Sequence, residues 1–113
     1  MCRALKVLCV APTPEGLERL KRATVSAHWE LVGGARSIDE SVQQVDEFRP
    51  DVVVVDVEVG VDRETLRRIR AAGPSIRIVS VGGAVEGADR SSDHDAIREA
   101  ILGVPPVGGP VRS

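Results

Sequence analysis

Aromatic residues are almost missing from this sequence, which has one tryptophan, one phenylalanine and no tyrosine in 113 residues. A hydrophobic core must therefore be built from Val, Ile, Leu and Ala. Apolar residues make up 42% of the chain and charged residues 28%, a balance that is typical of a globular domain and argues against a disordered or fibrous chain. The length predicts a single domain over residues 1–104, followed by a proline- and glycine-rich tail at 105–113 that we expect to be flexible.

An excess of basic charge and a long apolar run are also missing. The formal net charge is −2, so the sequence offers no basic footprint for nucleic acid or for an anionic membrane, and we expect neither partner. No apolar run approaches the roughly 18 to 20 residues that a bilayer-spanning helix needs. The apolar segment near the N-terminus is too short for a signal peptide. We therefore expect a cytoplasmic location.

Cysteine and histidine are too few and too poorly spaced to predict a metal site. The two cysteines, Cys2 and Cys9, lie on one short segment, and the two histidines, His28 and His94, are far apart. Cys9 lies inside an apolar run and is predicted to be a buried core residue, whereas Cys2 is predicted to face solvent. For both histidines we predict a surface or helix-capping role.

The apolar residues alternate between short continuous runs and helical spacing. The runs predict strands within residues 4–11, 29–35, 51–57 and 75–83, and the helical spacing predicts helices within 13–24, 37–48, 62–73 and 91–104. Helix starts are indicated by Thr13 before Pro14, by Ser37 with Glu40 three residues later, by Asp62 and by Ser92. Strands that alternate with helices are typical of an α/β fold, a doubly wound and mostly parallel sheet with helices on both faces.

Four consecutive valines, residues 52–55 in "RPDVVVVDVEVG", indicate the centre of that sheet, since a strand without polar alternation must be covered on both faces. Functional groups in such sheets collect at the carboxyl ends of the strands. At the four predicted strand ends, only Asp56 and Ser80 have side chains with a functional group that could take part in a reaction. Either residue could instead have a structural role, because Asp and Ser side chains cap turns through backbone hydrogen bonds.

The segments "FRPDVVVVDV" and "RIVSVGG", together with the order of elements over residues 5–83, resemble the receiver domain of bacterial response regulators. The resemblance implies that Asp56 is the candidate phosphoacceptor, which would receive a phosphoryl group from a histidine kinase. It also implies that Ser80 is the candidate switch residue. In that family, an acidic pair after the first strand holds Mg²⁺ with the phosphoacceptor, and a lysine followed by proline ends the fifth strand.

Both of those features are lost here. The acidic pair is replaced by Ala11 and Pro12, which cannot bind a hard cation. Glu15 and Glu58 are possible substitutes. The C-terminal part has two interpretations: "AILGVPP" is the fifth strand, with Pro105-Pro106 in place of Lys-Pro, or residues 91–104 are the last helix. In the second, which we favour, the fifth strand and the helix before it have shrunk to the loop "GAVEGADRS". In both, the lysine is missing.

The sequence thus predicts an atypical receiver domain that acts in signal transduction through a protein partner, a histidine kinase or a downstream regulator. Phosphorylation is expected to be absent or vestigial, and we predict no catalytic residue, no metal ligand, no cofactor and no enzymatic activity. A homodimer is expected, since a shortened C-terminal half would leave a sheet edge uncovered. Two alternatives stay open: a phosphorylatable single-domain regulator that uses Asp56 and Mg²⁺, and a small nucleotide-binding α/β domain with the glycines of "GGAVEG" at a phosphate.

Overall fold

A computed structural model describes residues 5–26, 28–93 and 96–102 of the chain. Its five strands form one parallel sheet in the order β2-β1-β3-β4-β5. The strands are β1 Leu5–Val10, β2 Trp29–Leu31, β3 Val52–Asp56, β4 Arg77–Val81 and β5 Arg90–Ser92. The helices are α1 Pro14–Thr24, α2 Ile38–Phe48, α3 Arg63–Ala72 and α4 Ile97–Leu102, with a short 3₁₀ turn at Val57–Val59. The predicted α/β fold with a parallel sheet is confirmed.

Strand β3 lies in the middle of the sheet and divides the core into two layers. Val52 and Val54 pack in the layer formed with α1 and α4, whereas Val53 and Val55 pack in the layer formed with α2 and α3. All four valines are buried. The prediction of a central strand covered on both faces is therefore confirmed. In the part of the chain that the structure describes, no helix combines the length and the apolarity needed to cross a membrane.

The C-terminal half agrees with the favoured interpretation in two respects, since the last helix lies within residues 91–104 and the segment before the fifth strand, residues 82–89, is a loop without a helix. It differs in the strand itself. A three-residue strand, Arg90–Ser92, pairs in parallel with β4, so the favoured expectation that the fifth strand is lost was wrong. Ser92 belongs to that strand and does not cap the last helix, which begins at Ile97. The other interpretation, with "AILGVPP" as the strand, was also wrong where it can be assessed, since residues 100–102 are helical. Residues 103–113, including Pro105-Pro106 and the predicted tail, lie outside the described residues, as do Cys2 and His94.

Two hydrogen bonds join Ile78 of β4 to Asp89, the aspartate that precedes the short β5 strand. The backbone N–H of Asp89 donates to the Ile78 carbonyl (2.9 Å), and the Ile78 N–H donates back to Asp89 Oδ2 (2.7 Å). Asp51, just before β3, makes the same reciprocal pair with Lys6 of β1, at 2.8 Å for each bond. An aspartate before a strand thus extends the ladder by one side-chain acceptor, which stabilises pairing where the strand itself is short.

Arg70 of helix α3 binds Asp89 and the loop before it. Its Nη2 donates to Asp89 Oδ2 and to the Gly87 carbonyl, both at 2.8 Å, and its Nη1 donates to the Ile76 carbonyl at 3.3 Å. The Arg70 and Asp89 side chains are only 31% and 28% exposed, so this ion pair is partly buried. The loop between β4 and β5, residues 82–89, contains no helix, and Arg70 anchors it to the rest of the fold.

Cysteine 9 lies in β1 and is buried, as predicted. Its Sγ is 3.4 Å from Thr24 Oγ1, with which it shares a hydrogen bond. Burial raises the pKa of the Cys9 thiol from 9.0 to about 11, because the thiolate would lose its hydration; the Thr24 hydrogen bond and the charge of Lys21 lower the pKa and offset only part of that effect. The thiol is therefore protonated at neutral pH. His28 is exposed, in agreement with its predicted surface role.

We expect Cys9 to resist alkylation in the folded protein. At pH 8, the raised pKa leaves about a hundredfold less thiolate than in the unfolded chain, and burial blocks access further. Iodoacetamide labelling, followed by peptide mass spectrometry that separates Cys9 from Cys2, should therefore show Cys9 modified at a rate at least about a hundredfold below its rate in denaturant. Equal rates in the two conditions would contradict the buried placement of Cys9.

Candidate functional site

Asp56 is the last residue of β3 and lies at the carboxyl edge of the sheet, where the sequence predicts it. Only 7% of the residue is exposed. Its Oδ1 accepts a hydrogen bond from the Glu58 N–H (2.9 Å), so the carboxylate caps the 3₁₀ turn over Val57–Val59. Gly60 closes that turn at φ 88°, a left-handed conformation that suits glycine, and its N–H donates to the Val57 carbonyl (3.1 Å). The turn-capping role foreseen as the structural alternative is thus present.

The neighbours of Asp56 within the sheet are apolar. On β4, the residue in register with Asp56 is Val81. On the other side, Val10 is paired with Val55, which brings Ala11, the next residue, beside Asp56. Val81 and Ala11 are both fully buried and belong to the core layer of α1 and α4. The carboxylate is therefore flanked on both sides by side chains that offer neither a charge nor a hydrogen bond.

Ser80 and Asp56 are close in the fold but are not partners. Ser80 is in register with Val55, one position before Asp56, and adjacent positions along a strand point to opposite faces of the sheet. The Ser80 hydroxyl, fully buried, donates to the Gly83 carbonyl at 2.8 Å and also lies 3.4 Å from the Arg90 carbonyl. It thereby bonds to the β4–β5 loop and to β5. Its suggested role as a switch stays a prediction.

No family model matches the chain. A curated protein, the protein-glutamate methylesterase/protein-glutamine glutaminase of Bacillus licheniformis, is 38% identical over 61 residues, which cover 52% of this chain. The match covers only 17% of that protein, so the chain spans less than a fifth of the curated relative.

Solved structures of receiver domains match almost the whole described fold. The response regulator domain of Thermotoga maritima CheB has a TM-score of 0.71 at 22% identity, covering 88% of this chain and 92% of that one. The signal receiver domain of the putative response regulator NarL from Mycobacterium tuberculosis has a TM-score of 0.74 at 18% identity, covering 89% and 95%. The signal receiver domain of an HD domain-containing protein from Pseudomonas fluorescens has a TM-score of 0.73 at 20% identity, covering 88% of this chain and 93% of that one. The chain has the receiver-domain fold.

Compared with the receiver pattern, the donor set for Mg²⁺ does not fit. A hard divalent cation prefers several carboxylate or carbonyl oxygens, but Asp56 has Ala11 and Val81 beside it. The two possible substitutes, Glu15 and Glu58, are exposed. Within the described residues, no group of three His, Cys, Asp or Glu side chains is arranged to hold a metal ion. We therefore derive no chemical step through a cation at this edge of the sheet.

The lysine of the receiver pattern has no counterpart at the end of β5. That strand ends at Ser92 and is followed by Asp93, whose Oδ1 accepts from the Ala96 N–H at 3.0 Å. The interpretation with "AILGVPP" as the fifth strand put the lysine position at Pro105, whereas the observed strand is Arg90–Ser92. The conclusion that no lysine ends the fifth strand holds at the observed position as well.

The capping role of Asp56 can be measured through stability. Replacing Asp56 with alanine removes the acceptor for the Glu58 N–H and should cost about 1 kcal/mol of unfolding free energy. Replacing it with asparagine keeps a side-chain oxygen and should cost only a few tenths, about 0.5 kcal/mol at most. Urea unfolding of the two variants beside the natural chain measures both values. Equal losses in both variants would show that the charge of the carboxylate, and not its hydrogen bond, is what matters.

Proposed function

We propose that this chain is an atypical receiver-like domain that acts in signal transduction by binding another protein, with phosphorylation absent or vestigial. The observation that carries the proposal is the setting of Asp56, a carboxylate engaged in capping a turn between two buried apolar neighbours, Ala11 and Val81. The partner is proposed to be a histidine kinase or a downstream regulator. We propose no enzymatic activity and no cofactor for the chain, and a cytoplasmic location by analogy with the signalling role of the fold.

The physical reason lies in the charge that phosphoryl transfer creates. Transfer to an aspartate brings the negative carboxylate and a negative phosphoryl group together, and their charge must be offset by a cation and by a positioned lysine or a comparable donor. Asp56 has an apolar residue on each side in the sheet. The strand that normally supplies the lysine ends at Ser92, and Asp93 follows it. Without those charges, the barrier for transfer to Asp56 is not lowered, which favours a role that depends on surface and shape.

The opposing alternative, a phosphorylatable regulator, retains one supporting observation. Asp56 stands at the carboxyl end of β3, where the resemblance to receivers implies a phosphoacceptor.

Incubation with acetyl phosphate and Mg²⁺, followed by intact-mass and peptide mass spectrometry, separates the two possibilities. We expect no phosphoryl adduct on the natural chain under conditions in which a receiver domain with a complete acidic pair and lysine is modified. An adduct at Asp56 that disappears in the Asp56→Asn variant would overturn the proposal.

A homodimer is part of the proposal. Among the strands that the structure describes, the three-residue strand β5 lies at the edge of the sheet and pairs with β4 alone. An open strand edge can pair with another chain. Light scattering across a range of protein concentrations should show a mass that rises toward that of two chains. A constant mass of one chain over the micromolar range would remove the dimer from the proposal while leaving the protein-binding role to be tested separately.

A further inference from the structure

Strand β2 forms one edge of the sheet among the strands that the structure describes, with β1 on its inner side. Val7 of β1 is in register with Leu31 and accepts a hydrogen bond from the N–H of Val32, the next residue, at 2.9 Å. The backbone groups of successive residues in a strand point to opposite sides. The N–H and C=O of Leu31, and those of Trp29 two residues earlier, therefore point away from β1.

These outward backbone groups of Trp29 and Leu31 make no hydrogen bond with any other described residue. Further along the chain the edge is closed, because the Gln44 side chain accepts from the Gly34 N–H (2.7 Å) and donates to the Gly34 carbonyl (2.9 Å). Two N–H and two C=O groups are thus left open to an added strand. We call residues 29–31, with these four groups, the β2 edge.

Half-buried apolar side chains flank the β2 edge on both faces of the sheet. Leu31 and Leu17 lie at the margin of the core layer formed with α1 and α4. A Cβ added at Gly34 would stand 3.2 Å from Leu17 Cδ2, which shows that α1 lies close to this side of the sheet. Val32 has the corresponding position in the other core layer. An added strand would remove part of this apolar surface from water.

The charge at the β2 edge favours another protein over a second copy of this chain as the occupant. Glu30 lies between the two outward residues and is exposed. It makes no ion pair with a described residue, and this includes Lys6, its neighbour in register on β1. Two-fold pairing through both outward residues would put Glu30 opposite the same residue of the other copy, and like charges at opposite positions destabilise a sheet. A basic residue at that position is attracted instead.

We propose that the β2 edge binds an extended segment of a partner protein, which adds a strand to the sheet and has the pattern apolar, basic, apolar. The backbone of the segment bonds to Trp29 and Leu31. Its apolar side chains pack beside Leu31 and Leu17, and its basic side chain lies opposite Glu30. The proposal rests on the proposed function, which it deepens by naming the surface and the chemistry of the partner. The edge at β5 stays open for the proposed homodimer.

Two short peptides test the β2 edge without knowledge of the natural partner. Both carry fluorescein; the first has the sequence Ser-Thr-Val-Lys-Val-Thr-Ser, and the second has glutamate in place of the lysine. We expect the lysine peptide to bind saturably and about fivefold more tightly than the glutamate peptide. In the free protein, the amide of Leu31 should exchange with solvent faster than that of Val32. A saturating amount of the lysine peptide should slow the exchange of Leu31.

Charge reversal at Glu30 tests which residue of the peptide lies opposite it. In Glu30→Lys the preference should reverse, so that the glutamate peptide binds about fivefold more tightly than the lysine peptide. The control is Glu99→Lys on α4, which makes the same change in net charge at an exposed residue. That variant should keep the preference for the lysine peptide.

Proline at position 31 tests the backbone contact. Leu31→Pro removes the outward N–H but no donor to β1, and should weaken binding of the lysine peptide at least about tenfold. Leu31→Ala keeps the N–H and should weaken it less, so the difference between the two variants measures the contribution of the backbone. Circular dichroism shows whether each variant is folded. If Leu31→Pro does not fold, charge reversal and hydrogen exchange still decide the question.

Several results would overturn the β2 edge. One is no binding of the lysine peptide up to about 1 mM, and another is an unchanged lysine preference in Glu30→Lys. Unchanged exchange of the Leu31 amide in the presence of bound peptide would place the peptide on another surface. Loss of self-association in Leu31→Pro, measured by light scattering, would make a second copy of this chain the occupant. Each of these results would leave the proposed function standing, because the acetyl phosphate experiment tests that function separately.

Discussion

Replacing Val54 with aspartate is expected to unfold the protein at room temperature. Val54 lies on the central strand and is fully buried, in register with Cys9 on one side and Val79 on the other. An unpaired carboxylate at this position loses its hydration and gains no partner, at a cost of several kcal/mol. A domain of this size is stable by only about 5 to 15 kcal/mol in total. Far-UV circular dichroism should show the loss of helix and strand signal.

The matched control is the same substitution at Val25, which is 54% exposed. Val25→Asp should change the unfolding free energy by less than about 0.5 kcal/mol. If Val54→Asp folds with a stability close to that of Val25→Asp, strand β3 is not the buried centre of the sheet and the fold described above is wrong. The contrast with Asp56 is informative, since a carboxylate two residues further along the same strand is tolerated at the sheet's edge with the Glu58 N–H as its partner.

Replacing Asp89 with alanine is expected to be the next most damaging change, because one carboxylate oxygen there accepts two hydrogen bonds. Its loss leaves the buried N–H of Ile78 without an acceptor and releases Arg70 from the β4–β5 loop. A buried donor left without a partner costs about 1 to 3 kcal/mol, and loss of the partly buried ion pair adds to that, so we expect about 2 to 3 kcal/mol in total. Urea unfolding measures the change.

Hydrogen exchange should locate the damage. In Asp89→Ala, the amides of Ile78 and of β5, residues 90–92, should lose protection, whereas those of β1 and β3 should keep it. Asp89→Asn retains an oxygen that can accept from Ile78 and should lose roughly half as much stability. Asp46→Ala, at an exposed position on α2, is the control for loss of a carboxylate and should have little effect. Uniform loss of protection over all five strands would contradict a local anchoring role for Asp89.

Local signals in the sequence were sufficient for most helices. Thr13 and Ser37 cap α1 and α2, accepting from the N–H groups of Gly16 (3.0 Å) and Glu40 (3.1 Å). Asp62 caps α3 in a full capping box with Thr65. The Glu40 side chain accepts from the Arg36 N–H, at 2.7 Å. Capping involves residues within one turn of each other, which is why these starts could be predicted.

Strand β5 could not be predicted because its stability is not local. Arg90, Ser91 and Ser92 have neither an apolar run nor a strand-like alternation, and their pairing depends on Asp89 reaching Ile78 and on Arg70 reaching from α3. Those contacts join residues 11 and 19 positions apart. Because Ser92 is predicted to cap the last helix, the predicted helix starts several residues before Ile97, where the observed helix begins. The periodicity of apolar residues in the sequence cannot predict a short strand that is stabilised by side chains from other elements.

The candidate site was predicted in part. The position of Asp56 at the end of β3 follows from the four valines before it, and the loss of the acidic pair follows from Ala11 and Pro12. The register of β4 could not be inferred, because Ser80 and Val81 are adjacent in the chain and a shift of one residue exchanges their faces. The ladder puts Val81 level with Asp56, which leaves the carboxylate in a more apolar setting than the sequence suggested.

The most direct test of the central claim is a nuclear magnetic resonance titration with Mg²⁺ and beryllium trifluoride, which imitates a phosphoryl group on a carboxylate. If Asp56 is a turn cap that lacks the charges needed for phosphorylation, the amide resonances of Glu58, Ser80 and Val81 should stay unchanged as both reagents are added. Saturable shifts at those amides, absent in Asp56→Asn, would show that the carboxylate still assembles a phosphoryl site and would contradict the claim.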